Sequence, residues 1–180
     1  MTWYSSRLPH FIGNLSLTEL SETMLKINGQ CSLTFTAHNF SGTVKSPTII
    51  FHKEHYVVAW PTNEGTYMFD SFGIQHCRDL FGIFIKLGNE QIYQSIYSDK
   101  CGIFCLYVLQ VLTNKKCWLL EDVHNAIASS FSQSHSDNDF NMTVYACNAQ
   151  IGEEFHNPSA YPLTQMALQM ANEVNKSRIL

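Results

Sequence analysis

The sequence predicts an α+β fold, and three observations predict it. Strand-like runs are confined to a block between Ser32 and Gly73, helical spacing flanks that block on both sides, and one segment from Cys101 onward is apolar almost all round. With 180 residues, 45% of them hydrophobic and 13% aromatic, the chain is expected to form a single domain, residues 1–180, around a sizeable core.

The elements follow in order. Ser16 or Thr18 ahead of Glu19 and Glu22 is a helix-capping pattern, and Leu17, Leu20, Met24 and Ile27 then recur at helical spacing. Three strand-like runs come next: Ser32–Phe40, Pro47–Trp60 and Gly65–Gly73. The Pro61–Gly65 segment, "PTNEG", carries turn chemistry, so the last two runs are expected to form a hairpin. Read as one continuous strand, Pro47–Trp60 puts Phe51, Lys53, His55, Val57 and Ala59 on one face and His52, Glu54, Tyr56, Val58 and Trp60 on the other.

From Cys101 the period changes. Ile103, Phe104, Leu106, Tyr107, Val108, Val111 and Leu112 encircle a helix, which marks it as buried at the centre of the domain. Trp118–Phe131 and Pro162–Val174 read as further helices with one apolar face each, the latter formed by Leu163, Met166, Ala167, Met170 and Val174. The run Ser132–Asn141, "SQSHSDNDFN", reads as a polar loop.

Composition narrows the function. A net charge of −4 with eleven Lys and Arg and no basic run disfavours a large nucleic-acid footprint. The N-terminal residues lack a secretion-signal pattern, and no apolar run approaches the roughly 20 residues that span a bilayer. A soluble intracellular protein with no membrane partner is therefore expected. The six cysteines (31, 77, 101, 105, 117 and 147) form no CxxC pair, which fits reduced thiols.

Cys101 stands where a polar stretch becomes the buried helix. A thiolate is the nucleophilic form of cysteine, and the unpaired N–H groups of a helix start favour an anion. Gly102 beside it admits another backbone closely. Such a nucleophile needs a base, and the base an orienting group. His55 on its strand is the candidate base, with Asp70 at the end of the next strand to hold its second ring nitrogen. Gln94, seven residues before Cys101, and the Cys101 backbone N–H could stabilise an oxyanion. Tyr56 and Trp60 are expected to pack around the base, and Cys105 to pack one helical turn from Cys101. The remaining histidines (10, 38, 76, 124, 135 and 156) read as surface or structural. No metal is expected, because strand alternation separates His52 from His55.

These residues resemble a family. His55-Tyr56 in a strand ending in Ala59-Trp60, the segment Phe69-Asp70-Ser71-Phe72-Gly73, and Gln94 seven before Cys101-Gly102-Ile103-Phe104-Cys105 are similar to the adenovirus-type cysteine proteases (adenain). These in turn are related to the proteases that process ubiquitin-like modifiers. The resemblance covers about Phe51 to Leu112. It implies a papain-like fold whose central helix starts at the nucleophile and packs on a small mixed or antiparallel sheet. It further implies Cys101 as nucleophile, His55 as base, Asp70 as its orienting acid and Gln94 in the oxyanion hole.

The implied activity is endopeptidase cleavage of viral precursor proteins at small residues such as Gly, in a host nucleus or a virion. Removal of ubiquitin-like modifiers is the alternative, and an acetyltransferase or an inactive binding module ranks lower. Asp70 stands where adenain has Glu. The Asp70–Cys101 stretch is shorter and lacks the cysteine that joins adenain to its activating peptide, and the chain is acidic. Neither a peptide nor a DNA activator, nor any other cofactor, is therefore expected.

Overall fold

The computed structural model describes residues 11–12, 15–29, 33–34, 40–160 and 164–179. It is an α+β fold built on a five-stranded mixed sheet in the order β3-β4-β5-β6-β7. A two-residue antiparallel pair, β1 (Phe11–Ile12) and β2 (Leu15–Ser16), leads into α1 (Leu17–Asn28). Ser16 and Glu19 close a reciprocal capping box there, and Leu20 and Met24 are fully buried. Among the strands, β3 (Leu33–Thr34) runs parallel to β4 (Thr48–His52). Then β4, β5 (His55–Thr62) and β6 (Gly65–Phe69) form an antiparallel meander, and β7 (Leu87–Gly88) runs parallel to β6. Of the first strand-like run only β3 and Phe40 are described. Ser32 and residues 35–39 lie outside the described residues, as do His10, His38, Cys31 and Leu163.

The run expected as one long strand is two. Lys53 and Glu54 both take positive φ, 48° and 61°, and turn β4 tightly into β5 with His52 paired to His55. That geometry usually selects Asn-Gly, so Lys-Glu gives no local warning of it. Alternation therefore restarts at the turn, and His52 and His55, being directly opposed, share a sheet face instead of lying on opposite ones.

The two faces of the sheet build two cores. Ile49, Phe51, Tyr56, Val58, Trp60, Tyr67 and Phe69 pack toward α3 (Cys101–Lys115). Ile50, Val57, Ala59 and Met68 pack with Ile74 and Cys77 of α2 (Ile74–Phe81), a helix that no sequence pattern announced. The α3 helix is buried along nearly its whole length, as its all-round apolar character requires.

Beyond α3 come α4 (Leu120–Ser130), α5 (His135–Ala149), the short α6 (Glu153–His156) and α7 (Thr164–Ile179). The polar run Ser132–Asn141 is thus mostly helix, not loop. Ser134 caps α5 by accepting from Asp137 N, and Asn138, Met142 and Ala146 repeat every four residues on its buried side. A buried asparagine in that stripe hides the helical period. Asn138 is satisfied in place: Nδ2 donates to Tyr93 O and Ser132 O, and Oδ1 accepts from Ser132 N. The inward face of α7 also differs from expectation. Ala167 and Ala171 are buried beside Cys147 of α5, while Met166, Met170 and Val174 are exposed, because small side chains let two helices approach. No helix among the described residues is long and apolar enough to cross a membrane.

Candidate active site

His55 opens β5 and Asp70 follows β6 directly. Extending the Val58–Phe69 pairing by one step sets Asp70 opposite Val57, on the face His55 shares. His55 Nε2–H donates to Asp70 Oδ1 at 2.8 Å, and Cys101 at the head of α3 lies close enough to the same ring to help raise its pKa. The three side chains are nearly sealed: His55 is 7% exposed, Cys101 4% and Asp70 0%. Two of the four residues singled out in the sequence therefore bond directly, and Cys101, 46 positions after His55, is brought to the same ring.

Gln94 joins them through Ser71. Ser71 O accepts from Tyr93 N and Gln94 N, and Ser71 Oγ donates to Gln94 Oε1. Gln94 Nε2 donates to Ser98 O at 2.7 Å, and its other contact, to Ser98 Oγ, is long at 3.3 Å. One amide proton is therefore committed to the loop and the second is only weakly held. The first turn of α3 has no side-chain cap: Lys100 precedes it and its ammonium is turned to Glu154, at 2.7 Å. The orphan N–H groups of that turn thus remain as donors around Cys101.

Burial works against a charged His55, but the Asp70 and Cys101 hydrogen bonds outweigh it and lift its pKa from 6.5 to about 10. Burial likewise opposes the Asp70 anion. Hydrogen bonds from His55, His76 and Phe72 N–H overcome it, and Asp70 sits below the ordinary carboxylate range. Cys105, fully buried one turn on, is pushed well above the usual thiol range, first by burial, so it remains a packing residue. The five cysteines among the described residues are all unpaired.

Several neighbours carry no signal in the sequence. Asn89 clamps the Asp70 backbone from both sides, its Oδ1 accepting from Asp70 N at 3.0 Å and its Nδ2 donating to Asp70 O at 2.7 Å. Gly73, at φ 89°, donates to Asp70 O at 2.8 Å and starts α2, with Glu90 O only 3.3 Å from where a Cβ would sit. On α2, His76 Nδ1 reaches Asp70 Oδ2 at 2.7 Å. The aromatic walls around His55 are Phe72 and His76, with ring centroids 5.4 Å and 4.8 Å from its own. Tyr56 and Trp60 do not fill that place. Tyr56 packs on Phe51 across the sheet, and Trp60 donates to Cys117 O beyond the far end of α3. At 15 residues α3 is about 22 Å long, so Trp60 is remote from Cys101.

His55, Asp70 and His76 also bring three potential ligand atoms within 4.8 Å of one another. A cation there would have to displace the proton that His55 holds to about 10, and each carboxylate oxygen already receives an imidazole. No family model, curated protein or solved structure matches the chain.

Proposed function

We propose that the chain is a cysteine endopeptidase of the papain-like, adenain type. The observation that carries this reading is His55 held by Asp70 at 2.8 Å while Cys101 reaches the same ring from the uncapped start of a buried helix. Each component has a chemical task. In the resting pair the proton of the Cys101 thiol already resides on His55, and the sulfur attacks the substrate carbonyl carbon. The resulting oxyanion is met by the first-turn N–H groups of α3 and by the loosely held amide proton of Gln94. The C–N bond then breaks as His55 passes its proton to the leaving amine. Water hydrolyses the thioester, and the proton that His55 takes from it restores the starting pair as the Cys101 sulfur leaves. Asp70 keeps His55 oriented and stabilises its charged form throughout.

The substrate is proposed to be a polypeptide with small residues at the cleaved bond, such as a glycine-rich site in a viral precursor protein, acted on in the virion or host nucleus. The test incubates the wild type and Cys101→Ala with glycine-rich peptides, with conjugates of ubiquitin-like modifiers and with an acyl-CoA plus an acceptor peptide, reading products by mass spectrometry. Peptide cleavage that disappears in Cys101→Ala is the expected result. Cleavage of the conjugates alone would move the reading to modifier removal. Acyl transfer in place of cleavage would make the chain a transferase, and inactivity of a folded wild type on all three would overturn the enzyme reading.

A further inference from the structure

We infer that His76 is a positioning residue for this reaction, holding the second carboxylate oxygen of Asp70 so that the first stays aimed at His55. The inference rests on the protease reading. Asp70 is fully buried, so each of its oxygens depends on a protein donor. Oδ1 receives two, His55 Nε2–H and Phe72 N–H, both at 2.8 Å. Oδ2 receives His76 Nδ1–H at 2.7 Å, and among the described residues no second donor reaches it.

The placement of His76 is built in rather than incidental. α2 begins on Asp70's own carbonyl through Gly73 N–H, so the first turn of the helix carries His76 back over the carboxylate. Phe72 packs against both imidazoles, and the two rings meet edge to face at 77°. His76 still exposes 40% of its side chain, so replacing it opens no cavity in the core. What replacement removes is the donor. Oδ2 would become a buried acceptor without a partner, the carboxylate could rotate to recover one, and His55 would lose its fixed orientation. Cys101 and the oxyanion donors, which meet the substrate, would be untouched.

The test measures kcat and KM of the full chain for the wild type and for His76→Ala, His76→Asn and His76→Gln. Asparagine places an amide N–H where Nδ1–H was, whereas glutamine carries its amide out to the Nε2 position. Ala and Gln should lower kcat about 10- to 100-fold, as one buried bond to a charged group converts, with KM unchanged, and Asn should recover most of it. Full kcat in His76→Ala overturns the inference, even where thermal stability falls, and so does an Asn variant as impaired as Ala.

Proton NMR supplies a readout that needs no turnover. The downfield His55 Nε2–H resonance should be sharp in the wild type and His76→Asn and broadened in His76→Ala. If that series holds but no peptide is cleaved, the protease reading fails while the placement of Asp70 by His76 stands. If the resonance is indifferent to His76→Ala, the inference fails whatever the chain cleaves.

Discussion

Replacing Asp70 by Asn keeps the shape of the side chain and removes its charge, which makes it the sharpest probe of the His55 environment. In the wild type, His55 rises from 6.5 to about 10. Its contribution to stability is therefore fully present below about pH 6.5 and is lost as pH rises through about 10. Between these values the folded state holds a proton that the unfolded state has released, so stability falls by at most about 1.4 kcal/mol per pH unit. From about pH 7 to about pH 9.5 that is an upper bound of about 3 kcal/mol. Asp70 acts with the opposite sign: its pKa is lowered from 3.8, so its share is present above about 3.8 and lost as pH falls below it. In Asp70→Asn the alkaline slope should flatten, leaving the part due to Cys101, and the acid loss should shrink. Urea titrations followed by tryptophan fluorescence read both limbs, with buried Trp60 stacked on Trp118 as the reporter. Parallel pH slopes in the two proteins would refute the claim that Asp70 holds the charge on His55.

Three further outcomes follow from other contacts. Gln94→Ala should cut kcat by about two to three orders of magnitude if its loosely held amide proton meets the oxyanion, while Gln94→Glu, which has no such proton, should not restore it; steady-state kinetics decide. Asn89→Ala removes the acceptor of the buried Asp70 N–H and one of the two donors to Asp70 O, Gly73 N–H being the other, so chemical denaturation should show a loss of about 2 kcal/mol, accompanied by a lower kcat as Asp70 shifts. Gly88→Ala sets a Cβ 2.6 Å from Met68 O and 3.0 Å from Ile74, which forces β7 away from β6. Calorimetry should find a loss of about 1–3 kcal/mol, and unchanged stability would mean that the β6–β7 contact yields freely.

The amino-acid sequence by itself determined the features whose causes are local. Ser16 and Glu19 sit three residues apart, so the start of α1 is readable from two letters. The apolar girdle from Ile103 to Leu112, interrupted at Gln110, marks a buried helix, and a thiol at its first turn follows from the position of Cys101. Asp70 is carried toward His55 by a hairpin whose turn residues are themselves in the sequence. What needed the third dimension are contacts in which an ordinary residue does something unusual. Lys53 and Glu54 take a turn their side chains do not favour, because β4 and β5 each bury both faces and hold the register. Polar Asn138 lies in the buried stripe of α5, since Tyr93 and Ser132 supply its partners. Asn89 and His76 reach Asp70 only after β7 and α2 have packed beside β6. Hydrogen bonds between separate elements leave no period in the chain, so the imidazole donors to the buried Asp70 carboxylate are decided by packing.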